Sequence, residues 1–361
     1  MPEPLLPEFR YAIACCRWSR TPEQDRWLRE QAIDWPLFLR IARRHRIEGL
    51  AWRALRQAGV TVPADVAGAL QAAADRIGRD NLAAAAECAR LAARFDAAAI
   101  PLLFVKGLTL SALAYGSIVP KAGWDIDILV GADDLAGAAS LLQADGYEMV
   151  VPLGPATPER IAAWHQHAKE SVWRHPGRGI HVELHTALAD HPMLLAGVGI
   201  GSPRQKVRVA EGIVLPTLRL EELFAYLAVH GASSAWFRLK WIADLAALLE
   251  GCTPEEIAAL YRRSQELGGG RAAALAVLLL DTLFATPLPP ALVAELRGER
   301  ANRRLVAAAM RSMSGRAAAT ELDRLWLGTA WIHLTQFGLL PGPRYKLSEL
   351  RRQVRSFLVR N

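Results

Sequence analysis

The sequence predicts an α+β protein in which a small mixed α/β core stands between two helical regions. Alanine and leucine dominate and β-branched residues are thin, which leans the chain toward helix. Between about residues 99 and 217 short strand-like runs alternate with helical ones, and on both sides of that stretch apolar residues recur at helical spacing. At roughly 150 residues per domain, 361 residues allow two or three units. The texture divides them into an N-terminal helical region (1–98), a core (99–217) and a C-terminal helical region (218–361). With 52% hydrophobic and 22% charged residues the chain can bury a core in water.

In the first region, DWPLFLRIARRHRIEGLAWRALRQAG sets Trp35, Phe38, Ile41 and Ala42 at helical spacing, with Asp34 as the N-cap and Pro36 just inside. A second helical run follows TVPADV and continues to about Ala99. The core opens with IPLLFVKG, a buried strand ending in glycine, and LTLSALAYG, a helix. WDIDILV alternates as a strand, ADDLAGAASLLQADG is an amphipathic helix closed by glycine, and YEMVV is strand-like. ESVWRH and GIHVELHTAL are strands parted by the turn PGRG, and QKVRVAEGIVLP is a hairpin turning at Glu211-Gly212. In the last region LRLEELFAYLAVHGA and RLKWIADLAALLEG are amphipathic helices. The basic C-terminal helix, RYKLSELRRQVRSFLVRN, reads as a solvated face rather than a nucleic-acid or membrane surface.

A net charge of +7 suits an anionic partner, although arginines on solvated helix faces account for it equally well. The four cysteines include no CxxC and no zinc spacing, so they read as reduced thiols. The N-terminal residues lack the pattern of a signal peptide, and the longest apolar run, at 272–280, is too short to span a bilayer. The expectation is a cytoplasmic protein without membrane association.

The chemistry centres on GWDIDILV. Side chains two apart on a strand share a face, so Asp125 and Asp127 stand together while Trp124, Ile126, Ile128 and Val130 fill the other face. Two adjacent carboxylates repel, and a divalent cation removes that cost; hard oxygen ligands suit Mg²⁺, which takes substrate phosphates as further ligands. The bland alternative is an edge strand showing charge to water. An EF-hand fails, because Leu129 and Val130 stand where a polar ligand and a glycine belong. Upstream, Lys106 and Gly107 end a strand and open a helix, a setting that suits a phosphate. Downstream, HVELH puts His181, Glu183 and His185 on one face, but the two histidines are separated by roughly 13 Å along a strand and cannot share one ion. Glu183 is therefore expected to act singly, as a third carboxylate beside the aspartates, and one carboxylate of such a triad can take the proton of an attacking hydroxyl.

The order KG…Y…DIDILV…GY…IHVELH, with the flanking helical stretches over roughly residues 30–295, resembles the DNA polymerase β-type nucleotidyltransferase superfamily. Within it, the bacterial group of uncharacterised nucleotidyltransferase family proteins is the likeness. The resemblance implies a nucleotidyltransferase core in which Asp125, Asp127 and Glu183 bind two Mg²⁺ ions and carry catalysis. It also implies that Lys106 and Gly107 face the phosphates of a nucleoside triphosphate. Gly107 is followed by leucine rather than the superfamily's serine, and Lys121 stands where relatives often have arginine. His165, His167, His230, Lys240 and Asp244 lie in matching stretches; Lys240 is taken to face the nucleotide, with a helical ion pair to Asp244 as the alternative. Trp236 and Trp241 read as core.

The implied activity is transfer of a nucleoside monophosphate to a hydroxyl or phosphate acceptor on a small molecule or peptide. The alternatives are a non-catalytic nucleotide-binding protein of the same fold and an RNA-modifying nucleotidyltransferase or toxin.

Overall fold

The computed structural model of the chain describes residues 5–123, 125–325 and 328–360, with side chains through Arg355. Helices α1 (Pro7–Cys15), α2 (Pro22–Glu30), α3 (Trp35–His45) and α4 (Glu48–Ala58) precede the long α5 (Ala64–Ala97). Asp34 caps α3, its carboxylate accepting the Leu37 N–H at 2.9 Å. The helical run divides at Arg46, which ends α3 in the left-handed region at φ 55°. Where α4 passes the loop before the second strand, a Cβ on Gly49 would lie 2.4 Å from the Pro120 carbonyl oxygen, so only glycine permits that approach. Asn81 of α5 clamps the same loop, donating to the carbonyls of Ile118 (2.5 Å) and Lys121 (2.8 Å).

The core comprises β1 (Leu103–Phe104), α6 (Leu108–Tyr115), β2 (Asp125–Leu129), α7 (Leu135–Ala144), β3 (Glu148–Val151), α8 (Pro158–His165), β4 (Glu170–His175) and β5 (Ile180–His185). The five strands form one mixed sheet in the order β1-β2-β5-β4-β3, in which β2 and β5 are parallel and the other pairs antiparallel. β2 is thus an interior strand, which removes the edge-strand reading of its aspartates. Its apolar face holds Ile126, Ile128 and Val130, buried with Val182 and Leu184 of β5 against Leu91 and Phe95 of α5 and Leu142 of α7. Each such side chain contributes about 1.5–3 kcal/mol by leaving water. A one-residue slip would exchange these residues for the aspartates, so the register is strongly specified. Trp124 lies outside the described residues.

A hairpin of β6 (Arg204–Ala210) and β7 (Ile213–Leu218) leads to α9 (Leu220–Ser233) and α10 (Leu239–Leu248). Their connection is tight: Trp236, fully buried, packs where a Cβ on Gly231 would stand 2.5 Å from the indole. This turn brings α10 back against α6 and α9. Then follow α11 (Pro254–Glu266), α12 (Gly270–Leu279), α13 (Pro290–Gly298), α14 (Arg300–Met313), α15 (Ala330–Gln336) and α16 (Pro343–Arg360). The apolar run at 272–280 is a buried helix of the core cluster, and no helix among the described residues is long and apolar enough to cross a membrane. The cysteines are unpaired, and Cys15, Cys16 and Cys88 are buried.

The C-terminal helix keeps Arg344, Lys346, Arg351 and Arg355 exposed, as its charge run predicts, but it is anchored on its other side. Tyr345 and Glu349 are buried, and the Tyr345 hydroxyl donates to the Gln336 carbonyl at 2.8 Å. Gln353 donates to the His333 carbonyl at 3.0 Å, and Gln336 to the Ser233 carbonyl at 2.8 Å. α16 is therefore tied through α15 to the end of α9.

Candidate active site

Parallel pairing sets Asp127 of β2 directly beside Glu183 of β5, and Asp125 beside His181. Lys106 reaches this row from the turn after β1. There Gly107 adopts φ 65° and ψ −120°, a conformation that disfavours any side chain, and caps α6. The Thr109 hydroxyl lies 3.1 Å from the carbonyls of both Phe104 and Lys106, and the Val105 N–H donates to the Asp127 carbonyl at 3.3 Å. So held, the Lys106 ammonium lies 2.7 Å from Asp127 Oδ1, 3.5 Å from Glu183 Oε2 and 3.9 Å from Asp125 Oδ2. Burial disfavours its charge, but Asp127 and its fellow carboxylates outweigh that and raise its pKa well above the ordinary value.

His185 joins the cluster, which sequence reasoning missed. Its Nε2 lies 3.2 Å from Asp127 Oδ1 and 3.5 Å from Glu183 Oε2, while its Nδ1 lies 3.3 Å from Glu170 Oε2. Glu170 in turn pairs with Lys169. The distance argument against His181 and His185 sharing an ion is sound, yet Glu183 and His185 are only two apart and share a face; that spacing was the available signal. Burial lowers the pKa of His185, but Glu170, Asp127 and Glu183 prevail and raise it to about 9. Asp127, despite burial, is held below the usual carboxylate range by Lys106.

Asp127, Glu183 and His185 each offer a ligand atom within 4.8 Å of the others. Lys106 and His185 both use Asp127 Oδ1, and Asp127 Oδ2 is buried with no hydrogen-bond partner among the described residues. An orphaned buried carboxylate oxygen is costly unless a cation takes it. The carboxylate oxygens suit a hard divalent ion, and His185 hydrogen-bonds Asp127 Oδ1 through Nε2. The residues fit a divalent cation.

A second, cationic pole adjoins the carboxylates. Lys121, nearly buried on the clamped loop, lies 3.6 Å from Asp244 Oδ2, and the Tyr115 hydroxyl donates to Asp244 Oδ1 at 2.8 Å. Lys240 does not pair with Asp244 within 4 Å; it donates to the Ala122 carbonyl at 3.2 Å. Burial, then the charge of Lys121, lowers the Lys240 pKa to about 7 against the opposing charge of Asp244, with smaller effects from Arg46 and Asp125.

Both poles line one cavity of roughly 1460 Å³, together with Gly107, His230 and Trp241. Trp236 is core as expected, whereas Trp241 is half-buried and meets His230 edge-on at 5.3 Å. Burial, with Lys106 and Lys169, keeps His230 neutral by lowering its pKa far below the ordinary value. His165 spends both ring nitrogens on Thr186 (2.8 Å) and Ser171 (3.0 Å), which makes it a brace of the β4–β5 end, while His167 lines the cavity exposed.

No curated protein matches the chain. A family model described as uncharacterised nucleotidyltransferase matches residues 31–285, more than half of the chain and the whole of the carboxylate cluster. The chain therefore belongs to the uncharacterised nucleotidyltransferase family, whose chemistry is the transfer of phosphorus-containing groups from a nucleoside triphosphate.

Proposed function

We propose that the protein is a Mg²⁺-dependent nucleotidyltransferase that moves a nucleoside monophosphate from a triphosphate to a hydroxyl or phosphate acceptor on a small molecule or peptide, releasing pyrophosphate. The observation that carries this reading is the in-register pair Asp127 and Glu183 on adjacent parallel strands, with an unpartnered Asp127 Oδ2. Mg²⁺, as a pair of ions, supplies charge stabilisation at the attacking and leaving oxygens. Asp125, Asp127 and Glu183 are its proposed ligands, and Glu183 accepts the proton of an attacking hydroxyl. Lys106, Gly107, Lys121 and Lys240 receive the triphosphate, whose charge favours the ammonium form of Lys240, disfavoured by burial and by Lys121.

His185 and Lys106 hold Asp127 in place, so positioning and electrostatics supply most of the catalysis. The core at 99–217 is then the catalytic unit, and the helical regions shape the acceptor site. Unpaired buried cysteines suit a reducing compartment, and we place the protein in the cytoplasm.

The test uses Mg²⁺, a cell extract as acceptor source, and nucleotides labelled at the α- or the γ-phosphate. The reading expects α-label on a product and γ-label in pyrophosphate; γ-label on a product would mean phosphoryl transfer and sink it.

A further inference from the structure

We infer that the acceptor is a small hydroxyl compound carrying a phosphate group, and that Arg351 and Arg355 of α16 bind that phosphate. The inference rests on the proposed transfer reaction and adds the class of its second substrate. The cavity, at roughly 1460 Å³, exceeds the ~300–1,000 Å³ of a site for one ligand, so a nucleotide leaves room for a partner. Its third wall is α16, which stands beyond the 31–285 segment shared with the family.

That wall is anchored rather than loose. Tyr345 and Glu349 are buried, Arg352 is paired to Glu349 at 2.6 Å and donates to Gln336 at 2.8 Å, and Gln336 reaches Ser233 at the end of α9. Arg351 and Arg355 differ. They lie four apart, hence on one face of the helix, both line the cavity, and neither has an ion-pair partner among the described residues. Two guanidinium groups at this spacing offer the forked donors that suit a phosphate.

The cations proposed for the triphosphate contact other elements: Lys240 donates to the Ala122 carbonyl and Lys121 pairs with Asp244, whereas α16 packs on the loop after β5, where Tyr345 meets His191 at 4.5 Å. Beside the arginines, Leu350 and Val354 are about half exposed and line the same cavity, an apolar surface for the carbon body of the acceptor. In the step itself the acceptor hydroxyl oxygen bonds to the α-phosphorus, the bond to pyrophosphate breaks, and the hydroxyl proton passes to Glu183.

The experiment measures binding by calorimetry with the full chain saturated by Mg²⁺ and a non-hydrolysable triphosphate. The probes are glycerol phosphate and glycerol, and the variants are Arg351→Glu/Arg355→Glu and the milder Arg351→Gln/Arg355→Gln, each checked by thermal melt. Glycerol phosphate is expected to bind the wild type at least ~10-fold more tightly than glycerol, a preference lost in both variants while triphosphate affinity stays within about twofold. An unchanged preference overturns the inference. So does a parallel loss of triphosphate affinity, which would assign the arginines to the nucleotide. Binding of an RNA oligonucleotide with steep salt dependence, in place of glycerol phosphate, would overturn the small-molecule assignment. If the wild type binds no triphosphate, the transferase reading fails by itself, and phosphate binding at the arginines is still scored without nucleotide.

Discussion

Lys240 should couple nucleotide binding to proton uptake. With its pKa lowered to about 7 by burial and by Lys121, about half of free molecules carry the ammonium at pH 7 and about one in eleven at pH 8. A triphosphate beside it favours the charged form and raises that pKa. Binding should therefore take up about half a proton per nucleotide at pH 7 and about nine tenths at pH 8. The sign follows: affinity is greatest below pH 7 and declines as pH rises, up to the pKa of Lys240 in the complex. The competent fraction falls about fivefold between pH 7 and 8 and about tenfold per unit beyond.

Calorimetry with Mg²⁺ and a non-hydrolysable triphosphate, in two buffers of different ionisation enthalpy, gives the proton count directly. Phosphate groups titrate near pH 6, so Lys240→Arg serves as the control, since arginine stays charged and should show no uptake at pH 8. Uptake below about 0.2 proton at pH 8 in the wild type, or equal uptake in Lys240→Arg, would refute the placement of the triphosphate on this pole.

Two further outcomes follow from the carboxylate cluster. Lys106→Met removes the ammonium that pairs with all three carboxylates and leaves His185 paired with Asp127 and Glu183, so the metal-free protein should lose about 3 kcal/mol in denaturant unfolding. Mg²⁺ should then restore more stability to this variant than it adds to the wild type; equal gains would deny that the cation and Lys106 serve the same charges. His185, raised from 6.5 to about 9, contributes stability that is fully present below pH 6.5 and lost as pH rises through 9. Metal-free wild type should thus weaken between pH 6.5 and 9.5 by roughly 3 kcal/mol at most, and His185→Gln should flatten that part of the curve.

Much of the site was legible because a strand's period is two. Asp125 and Asp127 had to share a face, and Ile126 and Ile128 had to pin the other one inward. The resemblance implied a third carboxylate at Glu183, but that it is the in-register neighbour of Asp127 needed the parallel pairing of β2 and β5, which periodicity alone does not encode. His185 stands two residues from Glu183 on the same face, and that spacing, not its distance from His181, places it in the cluster.

The Lys240–Asp244 spacing suggested a helical pair, but Asp244 turns to Lys121 and Tyr115, partners more than a hundred residues away that only the clamped loop and the α9–α10 turn bring together. The C-terminal helix is solvated on its basic face as expected, but its place in the cavity wall was not legible, for a related reason. Its basic composition suits water, and its role as a cavity wall depends on a few anchors, Tyr345 and Glu349, that composition does not reveal.

The central claim is that Asp127 holds a divalent ion for nucleotide chemistry, and Mn²⁺ binding followed by electron paramagnetic resonance tests it most directly. With a non-hydrolysable triphosphate present, the wild type should bind Mn²⁺ and Asp127→Asn should bind it at least ~100-fold more weakly, a loss on the order of 3 kcal/mol. Asp127→Asn should still fold, because Lys106 keeps Glu183 at 3.5 Å and Asp125 at 3.9 Å. A folded Asp127→Asn protein that binds Mn²⁺ as the wild type does would contradict the account.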